Sequence, residues 1–479
     1  MKRLHVDVAI IGAGTAGLAA YRSARAAGAR IVIIEGGAPG TTCARVGCMP
    51  SKLLIAAAEA AHGVARASAF GIRVDGPVCI DGRAVMERVR RERDRFVGFV
   101  LQGMDAMPGA DLLRGHGRFV DPHTLMVDEH TRVSARSIVI ASGSSVDFPD
   151  SMKALGERLI TSDDVFDWQA LPGSVAVLGP GIIGLELGQA LHRLGVCVAV
   201  LGRGGRVGPL GDPCVRDYAV AAFNEEFVLE PDAHISTLER DLDRVAIRRA
   251  GRNGAPETEH FEYVLAATGR RPNVAGLGLE TTGLTLDAKG VPLFNPVTTR
   301  TMSADKASPI FMAGDADNFI PLLHEAADEG HIAGRNAARL ARGLRVTPGL
   351  RRAPLGIVFT DPQIAVVGGG FRALKPGSFA TGQASFEDQG RARIMLQNKG
   401  LARVYGDIAT GRFLGAEMLA PAAEHLAHLL AWALQNEMTV TRMLEMPFYH
   451  PAIEEGLRTA LRDLDFNLRA NESGVHKAA

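Results

Sequence analysis

Two cysteines near the N-terminus have a spacing that could support redox chemistry. Cys43 and Cys48 lie in "GTTCARVGCMPSKLL", with four residues between them. On an undistorted helix, residues five apart are separated by about 7.5 Å of rise, whereas Cα atoms of a disulfide lie about 4.4–6.8 Å apart. A Cys43–Cys48 bridge therefore requires a distorted helix, which Gly47 and Pro50 permit. A bridge in such geometry is more easily reduced than a structural one, so we predict a working redox pair.

Residues 6–35 predict a unit that binds a dinucleotide. An apolar strand leads into Gly12, Gly14 and Gly17, arranged as G-x-G-x-x-G, and an alanine-rich helix and a second strand ending at Glu35 follow. These glycines allow a tight turn, close approach to a pyrophosphate and close helix packing. The helix N-terminus offers N–H groups to the phosphates, and the carboxylate of Glu35 can accept from ribose hydroxyls.

A second copy of this unit covers residues 174–203 and carries Gly179, Gly181 and Gly184 at the same spacing. Two dinucleotide sites in one chain indicate an enzyme that passes electrons between two dinucleotides. This pattern favours a redox enzyme over a binding module.

The residues at the end of the second copy do not distinguish NAD from NADP, so we expect either cofactor. Gly202 stands where an acid usually marks NAD, whereas Arg203 and Arg206 could receive the extra phosphate of NADP. The arginines could equally be solvated loop residues. We expect weak discrimination, and we expect a glutamate at position 202 to favour NAD.

Three short apolar strands end in small residues that suit a flavin site. They end at Ser142 and Gly143, at Gly269, and at Asp315. An aspartate at such a strand end can hold a ribityl hydroxyl. Alternatively, Asp315 caps the helix that follows.

Composition limits the remaining function classes. Lysines plus arginines equal aspartates plus glutamates, so the formal net charge is zero and gives no electrostatic reason to expect a nucleic-acid or membrane partner. No stretch is apolar for long enough to span a bilayer. Five cysteines in 479 residues favour a reducing cytoplasm over a secreted, disulfide-stabilised protein. Cys197 is expected in the core and Cys79 and Cys214 in loops, and no metal site is expected.

Taken together, these motifs resemble the pyridine nucleotide–disulfide oxidoreductases of the glutathione reductase and dihydrolipoamide dehydrogenase type. The resemblance rests on "TCARVGCMPSK", both glycine fingerprints, "AGD", "VFTDPQIAVVG" and "HPAIEE", and it covers essentially the whole chain. It implies an α/β fold with two Rossmann-like dinucleotide-binding domains plus a C-terminal α+β dimerisation domain. The implied parts are an FAD-binding domain (1–150), an NAD(P)-binding domain (151–275), a return to the FAD domain (276–348) and an interface domain (349–479).

The resemblance also implies roles for the redox residues. Cys48 is expected to lie nearest the flavin as the thiolate that exchanges electrons with it, and Cys43 to form a mixed disulfide with the substrate. His450, from the other subunit of a homodimer, is expected to be the acid–base of the exchange, because imidazole titrates near neutral pH. Glu455 is expected to orient this histidine, and Pro451 to lie in the first turn of the helix that places the glutamate.

Further flavin contacts follow from the same resemblance. Lys52 and Glu186 are expected to pair near the reactive nitrogen of the flavin, because an unpaired carboxylate at an apolar helix start is costly to bury. The alternative is a surface lysine and a partly exposed glutamate. Thr42 and Leu323 complete the expected contacts. His324 matches a histidine of the dihydrolipoamide dehydrogenase branch, and a packing role is equally open for it.

The resulting hypothesis is a dihydrolipoamide dehydrogenase-like enzyme that moves electrons between a small dithiol or a lipoyl-bearing protein, the Cys43–Cys48 pair, FAD and a nicotinamide. One alternative is an NADPH-dependent reductase of another disulfide. A second is a flavin-binding redox sensor or metal-responsive protein on the same fold. Mercuric reductase is disfavoured, because the C-terminal "RANESGVHKAA" lacks the cysteine pair of those enzymes.

Overall fold

The computed structural model describes residues 1–251, 254–304 and 308–472. The end of the C-terminal segment without a cysteine pair, residues 473–479, lies outside the described residues. The strands are β1 (Lys2–Ile11), β2 (Ile31–Glu35), β3 (Leu112–Arg114), β4 (Gly117–Asp121), β5 (Thr124–Val127), β6 (Thr131–Ile140), β7 (Ser144–Val146), β8 (Leu159–Thr161), β9 (Ser174–Leu178), β10 (Cys197–Leu201), β11 (Val228–Glu230), β12 (Ile235–Asp241), β13 (Arg244–Ala250), β14 (Pro256–Phe261), β15 (Tyr263–Ala266), β16 (Arg270–Pro272), β17 (Ile310–Met312), β18 (Leu355–Val358), β19 (Gln363–Val367), β20 (Phe379–Ser385), β21 (Leu401–Asp407) and β22 (Phe413–Ala420). The helices are α1 (Thr15–Ala26), α2 (Thr42–Val46), α3 (Cys48–Arg66), α4 (Gly82–Asp105), α5 (Ser162–Val165), α6 (Ile182–Arg193), α7 (Pro213–Asn224), α8 (Leu323–Ala341), α9 (Gly390–Ile394), α10 (Ala423–Gln435), α11 (Val440–Leu444) and α12 (Glu455–Glu472).

The described chain forms two compact units. The first contains Met1–Leu53, Glu87–Asp147 and Gly269–Arg351, and the second contains Leu54–Met86, Phe148–Thr268 and the chain from Arg352 onward. Each unit carries one of the glycine fingerprints. The finer division into four parts stays a prediction.

A mixed sheet with the order β3-β2-β1-β6-β5-β4 forms the centre of the first unit, and β17 also pairs with β6. Strand β1 runs parallel to β2 and β6, and β17 runs parallel to β6. The carboxyl ends of these strands therefore meet at one edge, where ligands bind in sheets of this kind. The residues of β2 from Ile31 to Ile34 are buried, as expected for a parallel strand covered on both faces.

Helices α1 and α8 of the first unit approach each other backbone to backbone. A Cβ atom on Gly330 would overlap the carbonyl oxygen of Ala16, and one on Gly334 would overlap that of Ala20. One buried cluster joins these helices to β1, β2, β6 and β17. The two glycines of α8 therefore set how closely the fingerprint helix α1 lies to it.

The second unit contains two sheets, and β9 of the first of them leads into the second fingerprint. The parallel sheet has the order β11-β10-β9-β15-β8, and the antiparallel sheet has the order β12-β13-β14. Both sheets contribute apolar residues to one core cluster. Examples are Ala176 and Leu178 on β9 and Val245 and Ile247 on β13. This is the second Rossmann-like domain that the sequence predicts.

The C-terminal part of the second unit is α+β. Its antiparallel sheet has the order β18-β19-β22-β21-β20, and α10 and α12 pack on it through one core cluster. Leu429 and Trp432 of α10 project from this core, and Trp432 is 65% exposed. Large exposed apolar side chains of this kind suit a protein interface.

The close contact of α1 and α8 gives a stability prediction. We expect Gly330→Ala to lower the free energy of unfolding by about 1–3 kcal/mol, the usual cost of overpacking, because the new methyl group must displace the backbone of α1. Gly98→Ala is the control, since a Cβ there meets nothing within 4 Å and alanine favours a helix by up to about 1 kcal/mol. Denaturant unfolding checks both variants, and equal midpoints would contradict the close approach.

Candidate active site

The two cysteines that the sequence predicts to be a redox pair lie on opposite sides of a helix break. Helix α2 ends at Val46 and α3 begins at Cys48, with Gly47 between them in a non-helical conformation. A Cβ on Gly47 would lie 3.3 Å from the Cα atom of Cys43, so glycine allows the chain to fold back here. The break that the spacing of the cysteines requires is therefore present.

Both cysteines are thiols in this structure, and their side chains interact. A hydrogen bond with Cys48, together with burial, raises the pKa of Cys43 well above its usual value. Lys52 acts weakly in the opposite direction. The raised pKa favours the protonated form of Cys43.

His450 of the second unit is held by a carboxylate. Its Nδ1 atom lies 3.0 Å from Oε2 and 3.2 Å from Oε1 of Glu455. The backbone N–H of Ala452, the imidazole of His450 and the guanidinium of Arg458 lower the pKa of Glu455. Glu455 is thus an ionised partner for Nδ1. Nε2 is the ring nitrogen turned away from this contact, and the His450 side chain is 81% exposed.

The helix that carries Glu455 begins later in the chain than the sequence predicts. Helix α12 begins at Glu455, so Pro451 precedes the helix instead of lying in its first turn. The prediction was wrong because the proline opens a turn before the helix, and the "EEG" run then begins it. Glu455, and not the adjacent Glu454, lies within hydrogen-bond distance of His450.

The first fingerprint forms an open cradle at the start of α1. Gly12 has a φ of 98°, and a Cβ there would overlap the carbonyl oxygen of Ala141. A Cβ on Gly17 would overlap the carbonyl oxygen of Gly12, whereas one on Gly14 meets nothing within 4 Å. Gly14 is the N-cap of α1 and gives it no side-chain cap. The helix N–H groups beside Gly14 are therefore available to a phosphate.

Glu35 braces this cradle from the end of β2. Its Oε2 accepts from the backbone N–H of Ala13 and its Oε1 from that of Gly37, each at 2.7 Å. Each carboxylate oxygen can accept a further hydrogen bond. The predicted contact with a ribose thus remains possible.

Asp315 lies at the end of the strand layer, as a ribityl-binding residue requires. Its Oδ2 accepts from the hydroxyl of Ser144 at 2.7 Å, and Arg270 donates to the same hydroxyl at 2.8 Å. The N-cap of α8 is Leu322, so the alternative that Asp315 caps this helix is wrong. Sequence reasoning missed Ser144 and Arg270, although both directly follow the small-residue strand ends that it identified.

Other predicted flavin residues surround the same strand ends. The hydroxyl of Ser142 is buried and has no hydrogen-bond partner among the described protein atoms. Gly143 and Gly269 both have positive φ angles, and Leu323 begins α8, whose N-cap provides no side-chain hydrogen bond. Thr42 is the exposed first residue of α2. The orphaned hydroxyl and the open helix N-termini fit a phosphate-bearing cofactor such as FAD.

The second fingerprint repeats the geometry of the first. Gly179 has a φ of 113° and faces the carbonyl oxygen of Ala267, while Gly184 faces that of Gly179. Gly181 meets nothing within 4 Å and is the uncapped N-cap of α6. The second unit therefore has its own phosphate cradle, as the sequence predicts.

Packing against two prolines explains why position 202 is a glycine, and the sequence did not reveal these contacts. It is buried, and a Cβ there would lie 2.5 Å from the carbonyl oxygen of Pro231 and 2.6 Å from the ring of Pro180. The expectation that a glutamate at this position would favour NAD is therefore wrong, because Pro180 of the glycine turn occupies the space. Arg203 and Arg206 are exposed on the following loop.

The "FTDP" segment holds the polar face of α6. Glu186 is buried and accepts the backbone N–H of Phe359 at 2.9 Å. Asp361 donates its backbone N–H to Gln189 and pairs its carboxylate with Arg193 at 3.0 Å. Glu186 is thus not the partly exposed residue of the alternative interpretation. Its pairing with Lys52, which lies in the first unit, stays a prediction.

The remaining cysteines differ from expectation. Cys197 is exposed because β10 begins at this residue, so its assignment to the core was wrong. Cys214 is exposed in the first turn of α7 instead of in a loop, and Cys79 is exposed outside the helices and strands. Within the described residues, no three His, Cys, Asp or Glu side chains are grouped to hold a metal ion. None of the described helices has the length and apolar character needed to cross a membrane.

Comparison with known proteins agrees with this arrangement. A family model described as pyridine nucleotide-disulphide oxidoreductase matches residues 6–330, and the model of its dimerisation domain matches residues 355–461. The chain belongs to the pyridine nucleotide-disulphide oxidoreductase family. This family binds FAD and NAD(P), and the dimerisation domain supports a homodimer.

Similar members of this oxidoreductase family differ in substrate. The chain is 30% identical to a mercuric reductase of Acidithiobacillus ferrooxidans, over 95% of this chain and 82% of the relative. It is 29% identical to a dihydrolipoyl dehydrogenase of Chlamydia trachomatis, over 94% of each chain. The fold also matches the Cu(II) complex of the flavoprotein disulfide reductase RclA from Escherichia coli, with a TM-score of 0.79, 21% identity and coverage of 96% and 99%.

Substitution of the two open glycines, Gly14 and Gly181, allows the two dinucleotide sites to be tested one at a time. We expect Gly14→Ala to fold normally but to lose most bound flavin, because the methyl group meets no protein atom and would obstruct the pyrophosphate. Gly181→Ala should retain flavin and raise the KM for the nicotinamide. Visible absorbance and steady-state kinetics measure the two effects, and full flavin content in Gly14→Ala would contradict the assignment.

The exposed arginines give a test of nicotinamide preference that does not depend on position 202. Charge-assisted hydrogen bonds contribute about 1.5–3 kcal/mol each, or about tenfold or more in affinity. We therefore expect replacement of both Arg203 and Arg206 by alanine to lower the ratio of kcat/KM for NADP to kcat/KM for NAD about tenfold. Arg248→Ala, an exposed arginine of β13, is the control. An unchanged ratio would show that this loop does not read the ribose.

Proposed function

We propose that the chain is a dihydrolipoamide dehydrogenase-like member of its family, oxidising a small dithiol or a lipoyl-bearing protein at Cys43–Cys48. The carrying observation is the pair of interacting thiols at the helix break, where a hydrogen bond with Cys48 and burial raise the pKa of Cys43. Thiol–disulfide exchange needs a thiolate and a protonated thiol, and the raised pKa of Cys43 favours the proton on that sulfur. It supports a working pair over a structural bridge.

The proposed exchange has two steps. One substrate sulfur, deprotonated by His450, attacks Sγ of Cys43 in the oxidised pair, and Cys48 leaves as a thiolate. The second substrate sulfur then attacks the first, which closes the substrate disulfide and releases Cys43. Of the two substrate protons, one ends on Cys43 and the other on His450, while two electrons remain on the cysteine pair. Bound FAD supplies the acceptor that carries these electrons to NAD or NADP.

The proposed site is shared between two subunits. His450 is 81% exposed in the single chain while its Nδ1 is fixed by Glu455, as expected for a group that acts across an interface. Within each chain, we propose that Lys52, Glu186 and Asp315 contact the flavin. We also propose that the chain divides into the four parts 1–150, 151–275, 276–348 and 349–479. The low cysteine usage supports a cytoplasmic location.

Reduction of a soft metal ion is the second candidate. The mercuric reductase relative is as similar to this chain as the dihydrolipoyl dehydrogenase, and paired thiols suit soft metals. The disulfide substrate remains the primary proposal because His450, held by Glu455, provides the acid–base that thiol–disulfide exchange needs.

Substrate turnover tests the proposal. Lipoamide, glutathione disulfide, a quinone and Hg²⁺ are each supplied with NADH and with NADPH, and lipoamide turnover is the expected result. His450→Ala should lower this rate by about 10²–10⁴-fold, the usual contribution of acid–base catalysis. Cys43→Ser should abolish it while quinone reduction, which needs no substrate disulfide, continues. Turnover of Hg²⁺ but not lipoamide would replace the primary proposal with the second candidate.

A further inference from the structure

A buried group of acids lies beside the turn that carries Asp315. The turn follows β17, and its Gly314 has a φ of 70°. A Cβ on Gly314 would lie 2.9 Å from that of Ala16 on α1 and 3.2 Å from that of Ala326 on α8. The turn is therefore wedged between these two helices, and a small movement of either helix would move Asp315.

Glu329 of α8 fixes this turn directly. The residue is 0% exposed, and its Oε2 accepts the backbone N–H of Gly314 at 2.9 Å. Its Oε1 accepts from Arg351 at 2.8 Å. The same guanidinium binds buried Glu325 at 2.8 Å and lies 5.6 Å from the ring centre of Phe319. One arginine thus serves two buried carboxylates.

Asp317 adds a third acid to the group. It is buried, and its Oδ1 accepts the backbone N–H of Phe319 at 2.9 Å. The charged groups facing it are Glu329 of α8 and Arg351 beyond that helix, and α1 contributes Ala16 to the turn. His324 and Asp328 act on the Glu325 end of the group. Three ionised carboxylates against one guanidinium would leave excess buried charge, which is costly.

A single proton removes this conflict. Burial, followed by the charge of Glu329, raises the pKa of Asp317 to about 8. The Oδ2 atom of Asp317 is also buried and has no hydrogen-bond partner among the described protein atoms, which favours the neutral carboxylic acid at neutral pH. Glu329 keeps its contacts with Arg351 and with the N–H of Gly314.

We propose that Asp317 and Glu329 form a buried acid pair with one proton, carried by Asp317, and that this pair is a positioning element for flavin binding, since Glu329 holds the Gly314–Asp315 turn in place. The pair does not touch the cofactor. It acts through the N–H of Gly314, which sets the direction of the Asp315 carboxylate. This inference rests on the proposed contact of Asp315 with the ribityl chain.

The pH dependence of flavin retention tests the pair. Loss of the Asp317 proton creates repulsion with Glu329 beside Gly314, so the wild-type holoprotein should release flavin about tenfold more readily at about pH 10 than at about pH 7. Asp317→Asn has nearly the same shape as the neutral acid but cannot ionise, so it should retain flavin at both pH values. Asp328→Asn, the neighbouring acid on α8, should behave as the wild type does. Fluorescence of flavin in the ultrafiltrate measures each case.

Two outcomes would overturn the inference: a wild type with no alkaline loss, or an Asp317→Asn variant with the same loss. If Asp317→Asn does not fold, infrared titration of the wild type decides instead, because a buried protonated carboxyl should lose its C=O band near pH 8. Absence of such a band at neutral pH would contradict the pair. A protein that shows the alkaline step but turns over no disulfide would refute the proposed function alone, and one that turns over lipoamide without the step would refute this inference alone.

Thermal unfolding gives a readout without flavin. The folded-state pKa of Asp317 lies above its unfolded value, so the free energy of unfolding falls as the pH rises from about 4 to about 8 and then levels off. The difference between wild type and Asp317→Asn should follow this curve. A pH-independent difference would show that Asp317 carries no extra proton in the folded state.

Discussion

The glycines at which helix α1 meets its neighbours are the constraint on which the first unit of the protein depends. Gly17 lets the helix begin against the carbonyl oxygen of Gly12, and Gly330 and Gly334 let α8 lie against the backbone of α1. The N–H groups at the start of α1 and the Asp315 turn are thereby fixed relative to each other. A cofactor that must contact both with different chemical groups needs this fixed separation.

The second unit uses the same device and changes one part of it. Gly184 again lies against Gly179, and Gly181 is again open. The difference is Pro180, which fills the space above Gly202 and excludes an acid at the end of the strand. The two backbone cradles are therefore similar, and they differ at the end of the following strand, where Glu35 stands in the first unit and Gly202 in the second.

The sequence predicted those parts of the site that depend on neighbouring residues. Both glycine cradles, the break at Gly47 and the strand ends were predicted because each follows from local backbone chemistry. The contacts of Ser144 with Asp315 and of Arg351 with Glu325 were not predicted, because the partners are far apart in the chain and meet only through packing. The same applies to Gly202, whose neighbour Pro231 lies in the turn after β11. Cys197 was misplaced because an apolar strand pattern does not show at which residue the strand becomes exposed.

A count of thiols tests the central claim, that Cys43 and Cys48 are a redox pair linked to the nicotinamide. The air-oxidised protein is unfolded and its free thiols are counted, before and after anaerobic reduction with NADH or NADPH. The chain has five cysteines, so the account predicts three thiols before reduction, five minus the bridged pair, and five after it. Cys43→Ser should give four thiols in both states. Five thiols before reduction, or three that do not increase with either nicotinamide, would contradict the account.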